Sequence, residues 1–223
     1  MNSIDKVIIL AAGRGNQADG LAKALIQHPC TGRSILDHAV DAFAGKKIVT
    51  VVGFRAIQIM ETHPEIHYVI NNEWSISNNA MSLALALDDE PCYVVSGDIF
   101  FEKSLIDRLD KLPPNLILTE NRENRPLTAI HCTLRQDGTV GSTYQGPIQN
   151  NADPEAIGLF KLQDLETLHQ WKRLCAKHGN LFVGQLLPCN YVPIIAVDKG
   201  DATFDEINTP SDYLNLIERN RTR

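Results

Sequence analysis

The sequence predicts an α/β fold with a largely parallel sheet and helices on both faces. Two observations carry the prediction. Short apolar, β-branched runs alternate with segments of helical periodicity through the first half of the chain. The first run, Val7 to Leu10, ends in the small residues Ala11-Ala12-Gly13, as strands of open α/β sheets do before a ligand loop. The 223 residues are 43% hydrophobic and 22% charged, ordinary for a soluble globular domain with a sizeable core.

The elements follow in order. Residues 7–10 read as a strand. Residues 34–43 have helical spacing, with Ile35, Leu36, Ala39, Val40 and Phe43 on one face. Residues 48–52 are apolar throughout, as in a strand buried on both faces. A helix is expected over 56–62, a strand over 67–70, and a helix over 80–87 capped by Asn78 or Asn79. A strand at 92–95 and a helix at 103–111 complete this half.

After Pro113-Pro114 the pattern turns β-rich. Strands are expected at 116–118, 128–134 and 139–144, the last two joined through Gln136-Asp137-Gly138, a hairpin signal. A helix over 164–177, a strand over 191–197 and a helix over 210–219 follow, the last with Pro at an early position. The chain reads as one domain, 1–223, with a nucleotide-binding half at about 1–112 and an acceptor-binding half at about 113–223.

Composition excludes several classes. The formal net charge of −6 lacks the basic footprint of a nucleic-acid binder, although a local site for small anions is compatible with it. No apolar run approaches the roughly 18–20 residues that span a bilayer, and the polar N-terminus does not read as a signal peptide. The five cysteines are scattered without a C-x-x-C pair, which argues against a disulfide framework or zinc site and for a reduced, cytoplasmic setting. The seven histidines form no H-x-x-x-H or H-E-x-x-H pattern.

The chemistry-bearing residues begin with the loop after the first strand. Backbone N–H groups of Leu10, Ala11, Ala12, Gly13, Arg14 and Gly15 can approach phosphates because little side-chain bulk obstructs them. A plain tight turn is the alternative. Gly13-x-Gly15-x-x-Ala18 satisfies a loose dinucleotide fingerprint, but no clean helix follows and no acidic residue ends the second strand, which disfavours a Rossmann oxidoreductase. No Walker A loop is present.

Together with Lys23-Ala24-Leu25, ten residues after Gly13, the Leu-Ala-Ala-Gly-x-Gly run resembles the N-terminal signature of nucleotidyltransferases that join an NTP to a phosphorylated small molecule. These are the sugar-1-phosphate nucleotidyltransferases, the MobA-like NTP transferases and their cytidylyltransferase relatives. The resemblance implies a three-layer sandwich with a mostly parallel, Rossmann-like sheet and a small β-rich acceptor or lid region. It implies that the loop wraps the triphosphate and that Lys23, with Arg14, offsets phosphate charge. Two positions depart from the pattern: Gln17 stands where an Arg is usual, and Ala22 where a Pro is usual.

Three further segments fit the same family. Asn71-Asn72-Glu73-Trp74 followed by Asn78-Asn79-Ala80-Met81-Ser82-Leu83 is similar to the segment of phosphocholine cytidylyltransferase-like members. That similarity implies nucleotide or acceptor contacts from Asn78, Asn79 and Ser82; by itself the segment reads equally as a polar loop and cap. Gly97-Asp98 ends a buried strand, where open α/β sheets bind ligands. The resemblance assigns Asp98 to catalysis and to Mg²⁺, and Gly97 to the nucleotide site. Phe204-Asp205-Glu206-Ile207-Asn208-Thr209-Pro210 resembles the closing motif that supplies further metal ligands, here Asn208 and Glu206, although a simple helix start also explains it. Glu155 and Gly158 look like the acceptor-side element. Trp74 and Tyr191 are available to a cationic headgroup.

The resemblance thus implies an Mg²⁺-dependent, stand-alone transferase. CTP is the favoured nucleotide and phosphocholine or 2-aminoethylphosphonate the favoured type of acceptor. Such products serve the modification of cell-surface polysaccharide or lipid. A sugar-1-phosphate nucleotidyltransferase and a non-catalytic nucleotide-binding protein are the alternatives. Partners are the NTP and the acceptor, with neither nucleic acid nor membrane; a homodimer is compatible with the family, though the sequence does not show one.

Overall fold

The computed structural model describes residues 4–15, 20–123 and 125–221. The position of Gln17 therefore lies outside the described residues. Strand β1 (Lys6–Ala11) lies inside the sheet. It pairs in parallel with β2 (Lys47–Val52) on one side and β4 (Cys92–Ser96) on the other, and β3 (His67–Ile70) adds in parallel to β2. Chain direction reverses at β9 (Glu155–Leu162), which is antiparallel to both β4 and β6 (Leu116–Glu120). The last strand of the path, β10 (Ile195–Asp198), is parallel to β6. The order is β10-β6-β9-β4-β1-β2-β3, and the hairpin β7 (Ile130–Leu134) and β8 (Val140–Gln145) branches from β9.

Alternation along β1 divides the core in two. Ile8 and Leu10 face α3 (Asn79–Ala86) and α5 (Leu165–Lys177), with Leu83 and Trp171 buried against them. Val7, Ile9 and Ala11 face the opposite layer, formed by α1 (Ile35–Ala42), α2 (Ala56–Thr62) and α4 (Lys103–Asp110). The result is a three-layer sandwich. Each fully buried Ile or Leu contributes about 1.5–3 kcal/mol relative to exposure. No described helix is long and apolar enough to cross a membrane.

Local signals explain the helix starts. Ser34 and Asp37 form a reciprocal capping box, with Asp37 N–H donating to Ser34 Oγ at 3.0 Å and Ser34 N–H to Asp37 Oδ2 at 2.7 Å. Asp164 accepts from Thr167 N–H at 2.8 Å and begins α5. The hairpin turn has Gly138 at φ +80°, as an Asp-Gly turn requires.

The structure corrects some expected boundaries. The strand expected over 191–197 is shorter, since β10 starts at Ile195 and Tyr191 lies in a turn. Pro193, lacking an N–H, cannot contribute a donor to the ladder there. The β-rich half is not a layer apart: β6, β9 and β10 extend the main sheet. A short ribbon of β5 (Ile99–Phe101) and β11 (Phe204–Glu206) was not anticipated.

Candidate active site

The register places the site. Leu10 lies opposite Ser96 and Ala11 opposite Val52, so the loops after β1, β2 and β4 leave one edge of the sheet. The strand order reverses between β1 and β4, a topological switch point where such sheets bind ligands. Gly97 N–H donates to the Leu10 carbonyl at 2.9 Å. A Cβ on Gly97 would lie 2.8 Å from that oxygen and 2.9 Å from Ala11 Cβ, so only glycine lets the two strand ends approach this closely. On the other side of β4, Gly158 has φ +79°, and its Cβ position would lie 2.9 Å from Ser96 Oγ.

Asp98 follows at once. Its Oδ2 accepts from Lys23 Nζ at 3.0 Å, while its buried Oδ1 has no hydrogen-bond partner among the described residues. Lys23 comes from a single 3-10 turn over Lys23–Leu25 and donates also to Asn208 Oδ1 at 2.6 Å. Asn208 is brought there by the ribbon: Glu206 is registered with Ile99, and Ile207 N–H donates to the Asp98 carbonyl at 2.9 Å. Asp212 then caps α6 (Pro210–Arg221), accepting from Asn208 and Thr209 N–H at 2.9 and 2.7 Å, which fixes the backbone at Asn208.

Electrostatics concentrate on Glu206. Burial, followed by the charge of Asp98, raises its carboxyl to about 7, against the pull of the Asn208 amide, Lys23 and Arg122. Arg122, at the carboxyl end of β6, holds the buried Glu155 carboxylate through two 2.6 Å hydrogen bonds. Arg122 was not singled out in the sequence; its place just beyond a strand's carboxyl end was the available signal.

Among the described residues, no three His, Cys, Asp or Glu side chains converge as a metal cage. Asp98, with one orphaned buried oxygen, joins Glu206 and the amide oxygen of Asn208 in an all-oxygen set. Such a set suits Mg²⁺, which usually keeps waters and phosphate oxygens as its other ligands, and does not suit zinc.

The loop itself is open. Gly13 and Arg14 are exposed, and a Cβ at Gly13 would meet nothing within 4 Å. Gly15 bridges to Leu21, its N–H donating to the Leu21 carbonyl at 3.2 Å. Arg14 lies over the Phe54 ring, its Cζ 5.7 Å from the centroid.

Several expected contacts are not brought together. Asn78 caps α3, accepting from Asn79 N–H at 2.8 Å. The Asn79 oxygen accepts from Val183 N–H at 2.9 Å, and Ser82, 3% exposed, accepts from Asn71 Nδ2 at 3.1 Å. Asn79 and Ser82 thus hold α3 to its neighbours. Trp74 packs on Gly53 and on Phe54 (centroids 5.3 Å apart), beside Ala12 rather than beside Glu155. Tyr191 belongs to a segment tied to the far edge. Arg135, near the hairpin tip, donates to the Cys189 carbonyl at 3.3 Å, and Ile195 is registered with Leu116, the first residue of β6.

The profile of the MobA-like NTP transferase domain matches residues 7–136. The chain belongs to this family. The transferase domain is 30% identical over 150 residues to a CMP-5'-(3-aminopropyl)phosphonate synthase of Streptomyces rubellomurinus, covering 60% of the chain and 24% of that protein. It is 30% identical over 169 residues to the bifunctional protein GlmU of Methanococcus maripaludis, covering 70% of the chain and 40% of that protein. The match thus spans a quarter to two fifths of these longer relatives. The fold superposes on the CTP:phosphocholine cytidylyltransferase LicC of Streptococcus pneumoniae with a TM-score of 0.76 at 20% identity, covering 96% of this chain and 98% of that one. The transferase domain therefore shares the whole architecture of that enzyme.

Proposed function

We propose that the chain transfers a nucleotidyl group from an NTP, with CTP favoured, to a small phosphorylated or phosphonylated acceptor of the phosphocholine or 2-aminoethylphosphonate type. The observation that carries this reading is the Lys23 ammonium held between Asp98 and Asn208 at the switch point, beside the open Gly13–Arg14 loop. The cytidylyl group and the aminoalkyl acceptor rest on the names of the phosphonate synthase and of the phosphocholine enzyme.

Loop N–H groups from residues 12–14 hold the triphosphate. An acceptor oxygen attacks the α-phosphorus, the bond from that phosphorus to the bridging oxygen breaks, and pyrophosphate leaves with that oxygen. An ionised acceptor has no proton to give up, so no general base is required. Catalysis then rests on positioning and on fixed charge. Lys23 lowers the repulsion between the approaching anions. Asp98, Glu206 and Asn208 would hold Mg²⁺, which when bound supplies further positive charge to phosphate oxygens.

The test is pyrophosphate release with Mg²⁺, pairing CTP, UTP, GTP, ATP and dTTP with phosphocholine, 2-aminoethylphosphonate and sugar 1-phosphates. Release with CTP and an amino-alcohol phosphate or phosphonate, lost in Asp98→Ala, is the expected result. Turnover of a sugar 1-phosphate alone would overturn the acceptor. NTP binding without release from any pair would mark a non-catalytic binder.

A further inference from the structure

We propose that Arg55 is a second guanidinium of the triphosphate site, acting with Arg14 on the terminal phosphates of the NTP; this rests on the nucleotidyltransferase reading above. The sheet register makes the two residues neighbours. Ala11 and Val52 are paired at the ends of β1 and β2, so Gly53-Phe54-Arg55 emerges alongside Ala12-Gly13-Arg14. Phe54 N–H donates to the Ala12 carbonyl at 2.9 Å, tying the second loop to the first. Gly53 permits this approach, since a Cβ there would lie 2.8 Å from the Ala12 oxygen and 2.6 Å from Trp74 Cβ.

Both guanidinium carbons sit near one ring: Arg14 Cζ lies 5.7 Å and Arg55 Cζ 5.5 Å from the Phe54 centroid. Among the described residues neither arginine has a carboxylate partner, and the one side-chain hydrogen bond of Arg55 goes to Gln58 Oε1 at 3.1 Å. Both guanidiniums therefore keep N–H donors that an anionic ligand can take up.

The backbone adds a second, independent observation. Arg55 is the single non-glycine residue of positive φ among the described residues, at φ 52° and ψ 34°. Arginine adopts that conformation at a cost that Gly or Asn would largely avoid. Strain of this kind persists where the surrounding structure holds it and function uses it. Arg55 also borders an open cleft lined by Gly53, Ala56, Ile57, Gln58 and Glu61, so its unbonded N–H groups face solvent.

The experiment titrates wild type, Arg55→Asn, Arg55→Gly and Arg55→Lys with CTP and with inorganic tripolyphosphate, and records each thermal midpoint. Expected is a loss of about five- to tenfold in affinity for both ligands in Arg55→Asn and Arg55→Gly, and a smaller loss in Arg55→Lys. The thermal midpoint of Arg55→Asn should stay at or above that of wild type, a combination that a purely structural role would not give. Unchanged affinities in Arg55→Asn would overturn the proposal, as would a loss confined to CTP, which would place Arg55 on the base or ribose. Wild type that binds neither ligand would overturn the nucleotidyltransferase reading itself.

Discussion

Lys23 and Asn208 stand 185 positions apart and are joined by a 2.6 Å hydrogen bond from Nζ to Oδ1. The contact links the turn after the first loop to the segment just beyond the ribbon that carries Glu206. It also leaves the ammonium 3.0 Å from Asp98, so one cation bonds side chains from two other parts of the chain.

Lys23→Ala should therefore remove charge stabilisation and also leave Asp98 facing Glu206. We expect kcat/KM for pyrophosphate release to fall by about 10²–10³. Lys23→Arg keeps the charge but not the compact point geometry, and should recover only part of the loss. Circular dichroism should change little in either variant, because Lys23 lies outside the two large cores. Full activity in Lys23→Ala would exclude the residue from the chemistry.

Glu206 gives the pH dependence. Its folded-state carboxyl lies at about 7 against an ordinary 4.5. Between those values the folded protein binds more protons than the unfolded chain, so this group makes stability fall as pH rises through that window. Glu206→Gln should flatten the slope and be more stable than wild type at pH 8 by on the order of 2–3 kcal/mol, with the two converging near pH 4. Asp37 and Asp88, both lowered from 3.8, act with the opposite sign but below that window. Urea midpoints from pH 4.5 to 8 measure the effect; parallel curves for the two proteins would contradict it.

How much of this was readable in advance depended on the range of the interaction. The sheet's first half was legible because Val7–Leu10 and the 48–52 run are apolar throughout, and Ser34 and Asn78 mark helix starts locally. The neighbourhood of Asp98 and Asn208 was legible only through the family resemblance, since a three-residue ribbon carries no periodicity to announce that it joins them. The Asn-rich segment fits both of its readings for a related reason. Amides and hydroxyls that suit a nucleotide base also suit polar groups of the fold: the Asn79 oxygen accepts from Val183 N–H and Ser82 from the Asn71 side-chain amide. Tyr191 falls in the turn before β10, next to Cys189 and Asn190, which Arg135 contacts near the hairpin end.

Gly97 offers a test of site geometry that touches no charge. A methyl group there would meet the Leu10 carbonyl oxygen at 2.8 Å and Ala11 Cβ at 2.9 Å, backbone and a short side chain that cannot swing aside. Gly97→Ala should cost about 1–3 kcal/mol in stability and shift Asp98 away from Lys23. Denaturant unfolding measures the first part, and pyrophosphate release, lowered more than tenfold in still-folded protein, the second. A stable and fully active variant would show that the strand ends need not approach as closely as they do.

The Arg122–Glu155 pair closes the other side of the site. Glu155 is 4% exposed, and both of its oxygens are bonded to one guanidinium. Arg122→Ala leaves that carboxylate buried and unpaired, which should cost about 3–5 kcal/mol. Arg122→Ala/Glu155→Gln should regain a large part of the loss, because the stranded charge is gone. A double-mutant cycle by urea unfolding separates the pair from its surroundings, and additive effects would mean that the two do not act together. Arg122 also lowers the carboxyl of Glu206 through space. In the double variant that influence is still missing, so the fall in stability with rising pH should extend to a higher pH than in wild type even where total stability is recovered.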